Sequence, residues 1–139
     1  MILRDKHVFI VEDNPQNRVI YQVILTQYGA SVLFERSGKF TVSRLQNTTE
    51  VDLIILDLML PEQASGLDLF DEIRALPHLQ GVPIVAISAM DPAVALPRVR
   101  ARGFAGFIAK PIDKGLFPQQ IADLIEGQEV WYTGEMNVV

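Results

Sequence analysis

The sequence contains no cysteine. Disulfide bridges, thiolate metal sites and cysteine nucleophiles are therefore excluded together. A chain without cysteine fits a reducing compartment, although it does not require one. Carboxylates, hydroxyls, histidines and lysines remain as the groups that can carry chemistry here.

Positive charge is also scarce. The 139 residues carry 12 basic and 17 acidic side chains, which give a formal net charge of −5. Surfaces that bind nucleic acid are normally basic. The one local basic cluster is Arg98, Arg100 and Arg102, and it fits a solvated face near the C-terminal end of a helix, where cations are favoured. We therefore expect no direct binding of nucleic acid.

Long hydrophobic runs are missing as well. No apolar stretch reaches the roughly 18 residues that cross a bilayer, and residues 1–7 lack the apolar core of a signal peptide. We expect a cytoplasmic protein that does not interact with membranes. Hydrophobic residues nevertheless make up 49% of the chain, with a mean hydropathy of +0.21. Such values are typical of parallel sheets, whose strands are covered on both faces.

Five short apolar runs alternate with five helical patterns. The predicted strands are residues 7–11, 30–34, 52–56, 83–87 and 107–109. This alternation predicts one α/β domain with a doubly wound parallel sheet and helices on both faces. The length of the chain suits one compact domain.

The first helix is predicted to begin after an Asn14 N-cap, with Pro15 in its first position. Its apolar stripe is read as Val19, Ile20, Val23, Ile24 and Tyr28. In the fourth helical pattern, Pro97 removes an N–H that a helix interior needs, so we expect this helix to be broken or to begin there.

Four of the apolar runs end at residues that can do chemistry. Glu12 and Asp13 follow the first run, Asp57 the third, Ser88 the fourth and Lys110 the fifth. The carboxyl ends of neighbouring parallel strands open onto one crevice, so these side chains are predicted to converge there. Three carboxylates offset by one lysine suit a hard divalent cation such as Mg²⁺.

In this combination the chain resembles the receiver domain of two-component response regulators. The resemblance spans residues 5–126 and is carried by Glu12-Asp13, Asp57, Pro61, Gly66, Ser88-Ala89 and Lys110-Pro111. It implies a flavodoxin-like, five-stranded sheet with strand order 2-1-3-4-5. It also implies a receiver domain over residues 1–126, followed by a short tail at 127–139 without an output domain.

The resemblance assigns roles to the acidic cluster. Asp57 is expected to accept a phosphoryl group, with Mg²⁺ as the cofactor and Lys110 offsetting charge on the phosphoryl oxygens. Asp13 and Asp57 are expected to bind the metal directly, together with the backbone carbonyl of Met59. Glu12 is expected to act through water.

The resemblance further implies a switch made of Ser88 and Phe107. The Ser88 hydroxyl is expected to move toward the phosphoryl group, and Phe107 to rotate into the space that this movement vacates. Phe107 lacks the hydroxyl of a tyrosine, so a switch here works by packing alone. An ordinary core position on the fifth strand is the other interpretation of Phe107.

The expected partners are a histidine kinase or a histidine phosphotransfer protein, and a downstream protein target; a homodimer stays open. The chain is expected to be a signalling protein rather than an enzyme, apart from catalysing its own phosphorylation and dephosphorylation. Two alternatives remain. One is an interaction module that works without phosphorylation. The other is a phosphohydrolase of the haloacid-dehalogenase type, which is disfavoured because Met59 stands where a second aspartate is needed.

The segment Val130, Trp131 and Tyr132 lies in the predicted tail. Docking of a partner or of a second copy, packing back onto the domain's own surface, and disorder are all compatible with its composition.

Overall fold

The protein is described by a computed structural model that covers residues 1–60 and 65–134. Pro61, part of the resemblance to receiver domains, lies outside these residues. In the described part of the chain, six strands form one parallel sheet with the order β2-β1-β3-β4-β5-β6. The strands are β1 (His7–Val11), β2 (Ser31–Glu35), β3 (Leu53–Leu56), β4 (Ile84–Ser88), β5 (Gly106–Ala109) and β6 (Val130–Tyr132).

Within residues 1–60 and 65–134, five α-helices cover the two faces of the sheet. They are α1 (Pro15–Gln27), α2 (Gly38–Gln46), α3 (Gly66–Arg74), α4 (Pro92–Arg102) and α5 (Phe117–Ile125). Buried residues of α1 and α5 pack on one face, and those of α2, α3 and α4 pack on the other. Across the described part of the chain, no helix has both the length and the apolar character that a membrane span requires.

The doubly wound α/β architecture is confirmed, and the first five strands follow the expected order 2-1-3-4-5. The prediction of five strands is wrong, because Val130–Tyr132 adds a sixth parallel strand beside β5. This strand needs a close backbone approach: a Cβ atom at Gly106 would lie 2.2 Å from the carbonyl oxygen of Val130. The glycine at this position therefore leaves room for β6, a non-local requirement that a run of three residues does not reveal.

The expectation that Pro97 breaks the fourth helix is wrong. Helix α4 runs without interruption from Pro92 to Arg102, with Pro97 inside it. Asp91 is the N-cap of the helix, and its side chain accepts a hydrogen bond from the Ala93 N–H at 3.0 Å. Pro97 is exposed, so its ring points away from the core, and the carbonyl that it leaves without a donor, that of Ala93, belongs to an exposed residue as well.

The predicted start of α1 is confirmed, since the Asn14 side chain accepts hydrogen bonds from the N–H groups of Gln16 and Asn17. The predicted apolar stripe is wrong in part. Val19 and Val23 are 59% and 58% exposed. The buried residues of the helix are Tyr21 and Leu25, which are four positions apart on a neighbouring stripe.

Candidate functional site

The predicted site residues stand at the carboxyl edge of the sheet, where ladder hydrogen bonds hold their backbones. The Asp57 N–H donates to the Val11 carbonyl at 3.1 Å, and the Lys110 N–H donates to the Ser88 carbonyl at 3.0 Å. Both residues are therefore fixed by the strand before them and by the strand beside them. The four loops that leave this edge open onto one crevice.

A single cation joins two of the carboxylates. Lys110 Nζ lies 2.7 Å from Asp57 Oδ2 and 2.7 Å from Glu12 Oε1. Only 5% of the Asp57 side chain and 2% of the Glu12 side chain are exposed, against 16% for Lys110. Buried charges of this kind are tolerated only when they are paired. Lys110 supplies that pairing for both carboxylates.

Burial and the neighbouring charges shift the titration of this cluster. Burial is the main reason that the pKa of Glu12 is raised; the charge of Asp57 adds to the rise, and the hydrogen bond from Lys110 opposes it. For Lys110, burial acts to lower the pKa, but the hydrogen bonds and charges of Asp57 and Glu12 outweigh it, so its pKa is raised. Lys110 is therefore charged at neutral pH, and the cluster has one cation for its several carboxylates.

The carboxylates are close enough to share a metal ion. One oxygen each from Glu12, Asp13 and Asp57 can be chosen so that all lie within 4.8 Å of one another. Asp13 is exposed, whereas the other two are buried, so the cluster opens to solvent on one side. Carboxylate oxygens are the ligands that Mg²⁺ and Ca²⁺ prefer, and the residues present fit such an ion.

The backbone of Met59 lies beside the acidic cluster. Its N–H donates a hydrogen bond to Asp57 Oδ1 at 3.0 Å, while Lys110 occupies the other oxygen of that carboxylate. Both oxygens of Asp57 are thus oriented. The Met59 side chain is 57% exposed and carries no group that can exchange a proton.

The first turn of α1 holds the carboxylate of Glu12 from the other side. The Asn14 N–H donates to Glu12 Oε2 at 3.2 Å, and the Asn17 side chain reaches Oε1 at 3.5 Å. Asn14 also caps the helix, so one residue sets both where α1 begins and where Glu12 points. The cap is predictable from the sequence, whereas the contact between Asn14 and Glu12 is not.

Helix α3 begins directly against the backbone of Asp57. A Cβ atom at Gly66 would lie 2.2 Å from the Asp57 carbonyl oxygen, and the Gly66 N–H donates to the Leu58 carbonyl at 3.1 Å. The Gly66 that marks the resemblance to receivers therefore has a local physical role. It lets a helix start in contact with the residue that carries the central carboxylate.

Ser88 and Phe107 lie on the α4 side of the sheet and are both fully buried. The Ser88 hydroxyl accepts a hydrogen bond from the Met90 N–H at 3.2 Å. Phe107 is paired in register with Ala86, two residues before Ser88. The structure thus places the serine and the phenylalanine near each other. It also shows the hydroxyl bonded to the backbone of its own loop.

Tyr21 belongs to the site and was missed by the sequence analysis. It is 2% exposed, and its ring stacks on Phe117 with the centroids 5.5 Å apart. Burial raises the pKa of Tyr21, and the neighbouring charges of Glu12 and Asp57 raise it further. The sequence does place a tyrosine four residues before Leu25, the spacing of one helix face. The predicted buried stripe, however, ran through Ile20 and Ile24, one position before Tyr21 and Leu25.

Comparison with known proteins gives a consistent result. The family profile described as "Response regulator receiver domain" matches residues 8–122. The polar-differentiation response regulator DivK of Brucella ovis is 31% identical over 84% of this chain and 93% of its own length. The transcriptional regulatory protein GlrR of Escherichia coli (strain K12) is 32% identical over 86% of this chain, but the match spans only 26% of GlrR.

A solved structure of similar sequence is the receiver domain of a sensor histidine kinase from Pseudomonas aeruginosa PAO1. It has a TM-score of 0.77 and 27% identity, and the match covers 88% of this chain and 98% of that domain. That structure contains a magnesium ion coordinated in its active-site cleft.

Proposed function

The chain belongs to the response regulator receiver family, and from this membership we propose that it is a phosphorylation-dependent signalling switch that accepts its phosphoryl group on Asp57. The observation that supports Asp57 as the phosphoryl acceptor is the burial and the hydrogen bonding of its carboxylate. It is almost fully buried at the carboxyl edge of the sheet, with one oxygen bonded to Lys110 and the other to the Met59 N–H.

In the proposed reaction, an Asp57 oxygen forms a bond to the phosphorus of the donor. The bond between phosphorus and the donor's leaving atom breaks, and its electron pair stays with that atom. The product is an acyl phosphate on Asp57. Lys110, held 2.7 Å from the carboxylate, offsets the negative charge of the phosphoryl oxygens.

Mg²⁺ is the proposed cofactor, held by Glu12, Asp13 and Asp57 with the Met59 backbone carbonyl. When bound, it supplies positive charge that neutralises the phosphoryl oxygens. The support is the donor set itself, because three carboxylates gathered within 4.8 Å leave negative charge that Lys110 alone does not balance. Exposed Asp13 gives the ion access from solvent.

We propose Ser88 and Phe107 as the elements that transmit phosphorylation. A phosphoryl group adds negative charge and acceptor oxygens. The Ser88 hydroxyl then exchanges its bond with the Met90 N–H for one to the phosphoryl group, and the loop after β4 moves with it. Phe107 follows by repacking, since it has no hydroxyl and lies fully buried on the same side of the sheet.

The proposed phosphodonor is a histidine kinase or a histidine phosphotransfer protein, and the proposed output is an altered affinity for a downstream protein. The chain acts as a signalling protein that catalyses only the chemistry of its own phosphoryl group. A phosphohydrolase of the haloacid-dehalogenase type is not supported, because Met59 offers no acid or base two residues after Asp57.

The test is intact-mass measurement after incubation with acetyl phosphate, with and without Mg²⁺. We expect a Mg²⁺-dependent gain of one phosphoryl group in the wild type and in Asp68→Asn, an exposed aspartate of α3. We expect no gain in Asp57→Asn. If no adduct forms even with a phosphorylated histidine donor, the switch is refuted, and an interaction module that works without phosphorylation takes its place.

A further inference from the structure

The chain's single tryptophan, Trp131, lies on β6 at the edge of the sheet. It is paired in register with Phe107 and packs against the buried cluster that contains Phe107. Neighbouring strands run about 4.8 Å apart, and paired residues in a parallel sheet project to the same face. The indole therefore closes the sheet edge beside a residue proposed to transmit phosphorylation.

Two polar contacts fix the indole. The guanidinium of Arg100, on α4, lies 4.2 Å from the centroid of the Trp131 ring, a cation–π contact. The indole Nε1–H donates to Glu129 Oε1 at 2.8 Å. Trp131 is thereby attached to α4 through Arg100, and its indole N–H is oriented by Glu129, which directly precedes β6. Of the three arginines in the basic cluster, Arg100 contacts the indole and Arg102 lies 3.5 Å from Asp71 Oδ2, so the cluster does more than form a solvated face.

The loop that follows Ser88 leads directly into α4. The Ser88 hydroxyl accepts from the Met90 N–H, and the next residue, Asp91, caps the N-terminus of α4 through Ala93. A movement of Ser88 toward Asp57 therefore displaces the start of α4. Arg100 lies on the same helix and contacts the Trp131 ring, so a displacement of α4 also moves the cation away from its position over the indole.

We propose that β6 is an intrachain clamp, seated through Trp131 against α4 and β5, that loosens when Asp57 is phosphorylated. This inference rests on the proposed function. In the unphosphorylated chain, two contacts seat β6 on other elements: its ladder with β5 and the Arg100 cation over the Trp131 ring. Because the contacts come from separate elements, a shift of α4 relative to β5 breaks some of them and favours the released state.

Release has a structural consequence at β5. Three residues of this strand, Gly106, Phe107 and Ile108, are paired with β6 in the closed state. A loosened β6 uncovers that edge, and an uncovered strand edge presents free N–H and C=O groups to other chains. The clamp thus covers the sheet edge until a phosphoryl group arrives.

Trp131 itself reports the state of the clamp. We would measure acrylamide quenching of its fluorescence with Mg²⁺ alone and with Mg²⁺ plus acetyl phosphate, and determine the extent of phosphorylation by intact mass in the same samples. The quenching constant is expected to rise about twofold or more on phosphorylation as the released population grows. In Asp57→Asn it is expected to stay constant.

Two variants open the clamp without phosphorylation. Gly106→Ala places a Cβ atom against the Val130 carbonyl, so its quenching constant should be high before any donor is added. Gly81→Ala is the matched control, because a Cβ atom there meets nothing within 4 Å. Arg100→Gln should raise the constant. Arg98→Gln should not, because Arg98 lies on the same helix and is equally exposed, but the recorded cation–π contact with the Trp131 ring is made by Arg100. Circular dichroism checks that each variant is folded.

The outcomes separate the clamp from the function on which it rests. An adduct on Asp57 with an unchanged quenching constant overturns the clamp and leaves the proposed function intact. A constant in folded Gly106→Ala or Arg100→Gln equal to that of its control also overturns the clamp. The absence of any adduct overturns both proposals. An adduct with increased quenching in the wild type, together with high quenching constants in unphosphorylated Gly106→Ala and Arg100→Gln, supports the clamp.

Discussion

Lys110 and Asp57 form an ion pair with Nζ 2.7 Å from Oδ2, although they lie 53 positions apart in the sequence. The same ammonium is 2.7 Å from Glu12 Oε1. One cation therefore ties together β1, β3 and β5 at their carboxyl ends. The charges of the site are oriented before a phosphoryl group arrives, and such preorganisation makes electrostatic stabilisation of a transition state effective.

Removing this cation is expected to destabilise the fold. Lys110→Met leaves Glu12 and Asp57 buried without a positive partner, and breaking a buried pair in this way costs about 3 kcal/mol. Urea unfolding gives the free energy of each variant. Lys114→Met, at an exposed lysine in the following loop, should change stability by less than about 0.5 kcal/mol. An equal loss in both variants would contradict the role given to Lys110.

Mg²⁺ is expected to stabilise the protein by binding its folded state. The free energy of unfolding should rise by about 1.4 kcal/mol at ten times the dissociation constant. Asp13→Asn removes an exposed carboxylate that we propose as a metal ligand. We therefore expect little change without the ion and a marked rise in the Mg²⁺ concentration needed for the same stabilisation. Asp68→Asn is the control. NaCl of equal ionic strength is the second control. If it stabilises the protein as much as Mg²⁺ does, screening of the repulsion between carboxylates explains the effect and binding of the ion does not.

Gly66→Ala is expected to damage both stability and phosphorylation. The added Cβ atom would lie 2.2 Å from the Asp57 carbonyl oxygen, so either α3 or the end of β3 must shift. Overpacking of this kind costs about 1–3 kcal/mol, and a displaced Asp57 accepts phosphoryl groups more slowly. Unfolding and the time course of intact mass measure the two effects. Gly81→Ala, which adds a methyl group to open space, should show neither.

Much of the acidic site was predictable because the strands end abruptly. Asp57 follows four buried apolar residues, and the ladder bond from its N–H to Val11 fixes where it stands. Tyr21 could not be predicted, because the local pattern in α1 is ambiguous. This helix carries apolar residues on two stripes, and one of the stripes is exposed. Val19 and Val23 fit a helical period as well as the buried pair does. Only packing against α5 decides between the two stripes.

The errors at α4 and β6 have a different cause. Pro97 was judged by a local rule, but its exposed position lets the helix continue around it. The segment at Trp131 is too short to show a periodicity, and its pairing depends on a glycine in β5 and an arginine in α4. The continuation of α4 through Pro97 and the pairing of β6 are set by contacts between segments that are distant in sequence. A local stretch of sequence therefore cannot predict them.

Tyr21 should make the stability of the protein fall in alkaline solution. Its pKa in the folded state is raised above the ordinary value of 10.0 by burial and by the nearby carboxylates. Above pH 10 the unfolded state therefore loses this proton first, and the free energy of unfolding decreases by up to about 1.4 kcal/mol per pH unit for this one group. The contribution is fully present below that pH.

Tyr21→Phe tests the sign of this effect. The variant lacks the titrating hydroxyl, so its stability relative to wild type should improve as the pH rises from 9 through 11, measured by urea unfolding around the ordinary value of 10.0. Tyr28→Phe, at a residue that is 37% exposed, serves as the control. A constant difference between Tyr21→Phe and wild type across this range would show that the hydroxyl is not held protonated by its surroundings.

Ser88→Ala is expected to separate the phosphorylation of Asp57 from the structural change that phosphorylation causes at α4 and Trp131. The Ser88 hydroxyl is bonded to the Met90 N–H and not to the acidic cluster, so its loss should leave phosphoryl uptake in place. Without the hydroxyl, nothing draws the loop toward the phosphoryl group, and the Trp131 quenching constant should stay at its unphosphorylated value. Ser88→Thr keeps the hydroxyl and should keep the response. If the Trp131 quenching constant of phosphorylated Ser88→Ala rises as in the wild type, the conformational change reaches α4 without this hydroxyl. Repacking of Phe107 would then be the remaining route between Asp57 and the indole.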